Sequence, residues 1–140
     1  MADIASIMRE FVKTTVPKDI EKKLAFFTDD GVWVTPNGTF KGKDELRRAF
    51  LSETQRDMTV SESGNGIIAG GNNAFFEHVI SGTYRSKKYE FLALCAYEFS
   101  GDKIKRVRTV YDRLLVAKQV APGWLAKMMA NSIASRMEKS

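Results

Sequence analysis

The sequence predicts an α+β fold in which helices come first and a meander of antiparallel strands follows. Three observations carry this prediction. Apolar residues recur at helical spacing in the first third of the chain. From Met58 the pattern turns to strand-like runs, "MTVSESGNGIIAGG", "AFFEHVISGTY", "YEFLALCAYEF" and "KIKRVRTVYDRLLV". Each run is joined to the next by a short polar or glycine-bearing turn.

Ile4, Ile7, Met8 and Phe11 stand at helical spacing and describe an amphipathic first helix within residues 4 to 14. Pro17 and Lys18 break it, and "PKDIEKKLAFF" restarts a second helix with Asp19 as N-cap and Ile20, Leu24 and Phe27 on one face. That helix is expected to end near "TDDG", with Gly31 in the left-handed cap conformation, so that Asp29 and Asp30 are helix-end and turn residues. "VWV" reads as a short strand, "TPNGTF" as a turn, and "KGKDELRRAFLSE" as a third helix opening after Gly42. "YEFLALCAYEF" is apolar on both faces, so one side should pack on the helices and the other on another subunit or on the C-terminal segment. After Pro122 and Gly123 a separate helix places Trp124, Leu125, Met128, Met129, Ile133 and Met137 at spacings of three and four. Its methionine-rich face suits a lid, a dimer element or simple packing. The expected division is a domain over residues 1–116 and an amphipathic helical extension over 117–140.

A chain of 140 residues, 44% hydrophobic and 28% charged, has the composition of one globular domain. No stretch approaches the roughly 18 unbroken apolar residues of a membrane span, and "MADIASIMREFVKTTV" carries charges where a signal peptide needs its apolar centre. A cytoplasmic location and no membrane partner are therefore expected. Cys95 is the only cysteine, which excludes an internal disulfide and a thiolate cluster within one chain. The net charge is +5, and the basic residues of the tail, Lys118, Lys127, Arg136 and Lys139, are dispersed as on a solvated helix face. Arg85, Lys87, Lys88, Lys103 and Lys105 lie at strand ends and read as solvated turn charges, so nucleic acid is not an expected partner.

"GNGIIA" has the spacing of a dinucleotide-binding fingerprint, but the segment continues as strand and turn where the motif needs a helix N-terminus. It reads as a hairpin bend. One histidine and no cysteine pair leave no metal site, and no serine sits in a nucleophile elbow. What remains is a set of polar side chains on otherwise apolar strands. His78 shares a strand face with Phe76, Ile80, Gly82 and Tyr84, and Tyr111 shares one with Val107 and Thr109. A histidine on an apolar face is commonly a hydrogen-bonded core residue; it is also the side chain best suited to acid/base work near neutral pH.

"DIEKKLAFFTDDGVWVTPNGTFKGKDELRRAF", with its cadence of helix, aspartates, aromatic strand and a Gly-Lys-Asp helix start, and "FSGDKIKRVRTVYDRL", a closing hairpin, resemble the nuclear transport factor 2-like superfamily, in particular SnoaL-like and ketosteroid isomerase-like proteins. The resemblance covers roughly residues 4 to 116. It implies a conical α+β barrel in which a curved, mainly antiparallel sheet wraps around three N-terminal helices and encloses a pocket. It also implies a homodimer paired through the sheet, a small-molecule ligand, and no cofactor.

Carried over by position, the isomerases' aspartate base falls on Thr35, their oxyanion-hole tyrosine on Phe11 and their protonated aspartate on Cys95. The working aspartate of SnoaL-type cyclases and limonene epoxide hydrolases falls on Thr109, and the hydrolases' arginine and other aspartate on His78 and Ile80. Phenylalanine cannot donate a hydrogen bond, threonine is no base at pH 7 and a thiol is a weak donor, so isomerase chemistry by that route is not expected. Some dehydratases of the superfamily use histidines and tyrosines. The resemblance thus implies a pocket with His78 and Tyr111 as catalytic candidates and Phe11, Trp33, Thr35, Ile80, Cys95 and Thr109 as ligand-binding candidates. Its chemistry would be isomerisation, dehydration or cyclisation of an apolar ring-containing metabolite. The alternative is a non-catalytic ligand-binding or interaction module that has lost the family's carboxylates. A two-residue turn at Gly101-Asp102 would place Cys95 opposite Arg108, whereas the resemblance pairs Cys95 with Thr109; a three-residue loop or a bulge would reconcile the two.

Overall fold

The computed structural model describes residues 3–15, 18–121 and 123–139; Pro17 and Pro122, read above as helix boundaries, lie outside them. Helix α1 (Ile4–Val12) begins at Asp3, whose carboxylate accepts from the Ser6 backbone N–H and from its hydroxyl, the latter at 2.6 Å. It buries Ile4, Met8 and Phe11, the stripe that the spacing predicts. Helix α2 (Ile20–Leu24) is capped by Asp19, as expected, through the Lys22 N–H.

Strand β1 (Phe27–Thr35) starts directly after α2, which corrects the expected helix end at "TDDG". Asp29 and Asp30 are exposed strand residues at an irregularity in the pairing between Phe27 and Val32, and Gly31 has no left-handed φ. Close packing selects that glycine instead: a Cβ there would lie 3.1 Å from the Phe27 ring. Pro36-Asn37 turns the chain into β2 (Gly38–Lys41), and α3 (Gly42–Thr54) follows, its entry fixed by the Lys41 N–H donating to Glu45 at 2.6 Å.

The meander is present as β3 (Met58–Gly70), β4 (Asn73–Tyr84), β5 (Lys87–Ser100) and β6 (Lys103–Val110). With β1 and β2 it forms one sheet in the order β2-β1-β6-β5-β4-β3, antiparallel throughout except for the β1–β6 pair. Two bulges bend it. Between Glu62 and Ile67, β3 carries more residues than β4 opposes, and Gly64 and Gly66 supply the left-handed φ values of 54° and 59°. "GNGIIA" is therefore a bulge inside a strand rather than a hairpin bend; the hairpin turn comes later, at Gly71-Asn72. Between β5 and β6, Ser100 pairs with Lys103 across a two-residue turn, the register then slips, and Cys95 pairs with Thr109. The bulge is the element that reconciles turn and pairing.

The strand expected to run through residue 116 stops at Val110. Asp112 caps α4 (Arg113–Val120) by accepting from the Leu115 N–H at 3.0 Å, because a helix-forming run behind an aspartate competes well with a sheet edge. Helix α4 packs on β5, where the Gln119 side chain bonds both the N–H and the C=O of Glu90 at 2.8 and 2.9 Å. Helix α5 (Gly123–Lys139) lies against α4, burying Ala130 and leaving Trp124, Leu125, Met128, Met129 and Ile133 largely exposed.

The result is an α+β cone: a curved sheet around α1, α2 and α3, with a C-terminal helical hairpin. Met8, Leu24, Leu46, Phe50 and Ile104 are fully enclosed at its centre, each burial stabilising the fold by roughly 1.5–3 kcal/mol. The inward row of β5, from Phe91 through Ala93, Cys95 and Tyr97 to Phe99, is buried, whereas the outward Leu92 and Leu94 are about half exposed at 49% and 44%. Ile68, Phe75 and Val110 extend the exposed apolar face. Among the described residues no helix is long and apolar enough to cross a membrane.

Candidate functional site

A cavity of about 70 Å³ opens between the helices and the concave side of the sheet. Aromatic rings wall it: Phe11 from α1, Phe27 and Trp33 from β1, and Phe50 from α3. The rings meet edge-on or tilted, with Phe11–Phe27 centroids 5.8 Å apart and Trp33–Phe50 centroids 5.6 Å apart. Sheet strands contribute Met58, Val60, His78, Ile80, Cys95, Tyr97, Val107 and Thr109.

His78 is 2% exposed and its ring stacks on Phe76 at 4.4 Å. Its Nδ1 makes a long contact, 3.4 Å, to the Phe76 carbonyl. A carbonyl only accepts, so this contact assigns the proton to Nδ1 and leaves Nε2 as a lone pair, which has no hydrogen-bond partner among the described residues. Burial pushes the imidazole below its ordinary pKa, and the carbonyl contact opposes that only in part. The arrangement is that of a neutral base.

A second group of polar atoms links three strands. The Trp33 indole N–H donates to the Thr109 hydroxyl at 2.9 Å, and that hydroxyl lies 3.1 Å from Cys95 Sγ. Burial pushes the Cys95 thiol up, against the opposing pull of Thr109 and Tyr97, and holds the Tyr97 phenol well above its ordinary range. Both groups are neutral at pH 7.

Lys23 and Glu53 also line the cavity, and sequence reasoning passed over both. Lys23 is 5% exposed; its ammonium lies 3.1 Å from a Glu53 carboxylate oxygen, 3.4 Å from the Thr15 carbonyl and 4.2 Å from the centre of the Phe50 ring. The signal was present in the spacing. Lys23 follows Ile20 by three and precedes Leu24, and Glu53 follows Phe50 by three, so each charge stands on an apolar helical stripe.

Of the residues singled out from the sequence, His78, Phe11, Trp33, Ile80, Cys95 and Thr109 come together around this cavity. Thr35 and Tyr111 are not part of its lining. Thr35 donates to the Gly38 carbonyl and accepts from the Asn37 N–H, bracing the β1–β2 turn. Tyr111 lies beyond the end of β6, so strand alternation no longer carries it inward. Its ring packs on Phe91 at 4.8 Å and its hydroxyl accepts from the Asn37 amide at 2.8 Å. Among the described residues, no cluster of three histidine, cysteine or acidic side chains is arranged to hold a metal ion.

A curved sheet wrapped around three helices over an apolar cavity defines a cone-shaped α+β fold. The model of the SnoaL-like domain matches residues 8–107, and the chain belongs to that family. Solved structures agree on the fold. A hypothetical protein with a ketosteroid isomerase-like fold from Catenulispora acidiphila, in complex with trimethylamine, is 15% identical with a TM-score of 0.73, over 84% of this chain and 93% of that one. A putative polyketide cyclase from Silicibacter is 20% identical with a TM-score of 0.73, covering 85% and 96%. An NTF2-like protein of unknown function from Burkholderia pseudomallei is 16% identical with a TM-score of 0.74, covering 87% and 100%. A search of curated proteins found no match.

Proposed function

We propose that the cavity binds a small, largely apolar, ring-containing molecule and that His78 moves a proton on it without a cofactor, in an isomerisation, dehydration or cyclisation. The observation that carries this reading is a neutral, buried imidazole, its Nε2 without a hydrogen-bond partner among the described residues, in a cavity walled by aromatic rings. A base needs a free lone pair and a water-poor setting, and His78 has both. The putative cyclase assignment of one similar structure and the bound trimethylamine of another support small-molecule binding in this class. A thermal-shift screen with steroids, terpenoids and aromatic polyketides should yield a stabilising ligand. Turnover of that ligand or a close relative should then vanish in His78→Gln with folding retained; undiminished turnover removes His78 from the mechanism.

A second reading, a non-catalytic binding module, draws on the residues at the family's carboxylate positions, Thr35, Ile80, Cys95 and Thr109, none of which ionises as a carboxylate does. It also draws on the exposed apolar face of α5 as a partner surface. Deleting residues 122–140 separates the two: loss of assembly or partner binding favours the module, and altered ligand access favours a lid over the site. We further propose that two copies pair through the outer face of the sheet, where Leu92, Leu94, Phe75 and Val110 are exposed.

A further inference from the structure

We propose that Lys23 and Glu53 form a hydroxyl-recognition subsite, so that the ligand of the cavity is a neutral molecule with an apolar ring body that carries a hydroxyl group. This rests on the cavity reading above and adds the polar group that the ligand must present. Burying both charges of an ion pair is costly, and an apolar pair of similar volume usually serves stability as well. Here both side chains are nearly enclosed, at 6% and 15% exposure, in the wall of an otherwise apolar cavity. The pair is also only partly used by the protein. Lys23 donates to one Glu53 oxygen, and its contact to the Thr15 carbonyl is at the 3.4 Å limit of a hydrogen bond, so an N–H is available for a closer acceptor. The second Glu53 oxygen has no hydrogen-bond partner among the described residues. An acceptor and an underused donor thus stand side by side next to the Phe50 ring.

A hydroxyl is the group that satisfies both, donating to Glu53 and accepting from Lys23. A carboxylate would be repelled by Glu53 and an ammonium by Lys23. A ketone or ether would leave the Glu53 oxygen without a donor, and a hydrocarbon would satisfy neither. The neighbouring rings of Phe11, Trp33 and Phe50 provide the apolar surface for the ligand's body.

The test uses one ring with four substituents: toluene, p-cresol, p-toluate and 4-methylbenzylamine. Each is titrated into the full chain and read by NMR through the Trp33 indole N–H, which is bonded to Thr109 inside the same cavity. Because hydrogen bonds to charged groups are the strong ones, p-cresol should bind about tenfold or more tightly than toluene, and more tightly than either charged probe. In Lys23→Met/Glu53→Leu, which replaces the pair with apolar side chains, the p-cresol preference should fall below about threefold while toluene still binds. If that variant does not fold, Lys23→Leu/Glu53→Met carries the same comparison, with the preference again lost. Equal binding of toluene and p-cresol by the natural chain overturns the subsite but leaves the cavity reading intact. Strongest binding of p-toluate, or a p-cresol preference that survives both variants, also overturns the subsite. No response of Trp33 to any probe overturns the cavity reading and the subsite with it.

Discussion

Lys23 and Glu53 show how a charge on an apolar stripe changes what a helix does. Removing one partner strands the other, so Lys23→Met alone should cost about 3–5 kcal/mol in urea denaturation, whereas Lys23→Met/Glu53→Leu should return to within about 1–2 kcal/mol of the natural chain. His78 offers a second test at the same scale. Its folded pKa lies below the ordinary 6.5, so the unfolded chain takes up this proton first as pH falls. Stability contributed by the neutral imidazole is therefore full above pH 6.5, declines as pH falls from 6.5 toward the folded value, and does not change further below it. Subtracting the profile of His78→Gln should isolate that slope in chemical denaturation curves between pH 5 and 7. Part of the cavity was legible residue by residue: alternation along β4 puts His78 and Ile80 on one face, whereas Cys95 and Thr109 were placed by the resemblance and meet only through the register slip between β5 and β6. Lys23 and Glu53 were missed because charge ordinarily signals solvent. Thr35 and Tyr111 were misplaced because each stands at the end of a strand, where alternation no longer decides the direction of a side chain.

At the scale of elements, the bulges decide the shape. Periodicity and turn chemistry gave the order of helices and strands, yet a bulge leaves little trace in composition: "GNG" reads equally as a turn, and nothing at Lys105 announces the slip that pairs Cys95 with Thr109. Helix α4 was hidden for a related reason, since "YDRLLV" carries both strand propensity and an aspartate cap, and only packing on β5 chooses between them. Gly64 has a left-handed φ of 54°, and a side chain there would run into the Glu77 carboxylate. Gly64→Val should therefore destabilise by at least about 1–2 kcal/mol in thermal melting and relax the bend of β3. Gly70→Val is the control, with no left-handed φ and no atom within 4 Å of the added carbon. It should stay within about 0.5 kcal/mol of the natural chain.

For the whole molecule, the cone separates two apolar surfaces. The inner one makes the core and the cavity; the outer one, across β3 to β6, leaves Ile68, Phe75, Leu92, Leu94 and Val110 exposed, while α4 lies along β5 at Glu90. The two-faced apolar pattern of β5 announced this outer surface. A charge at its centre should separate the proposed dimer: Leu94→Arg should leave a particle of 15.7 kDa in light scattering, with ligand binding retained. A dimer of undiminished stability would move the interface elsewhere. The central claim, that the one imidazole of this chain stands neutral and available inside a ligand cavity, is tested most directly by NMR titration of untagged protein, in which His78 is the only histidine signal. The midpoint should lie below 6.5 and shift when the cavity binds a ring-bearing ligand. A midpoint at or above 6.5, unmoved by a ligand that perturbs Trp33, would contradict it.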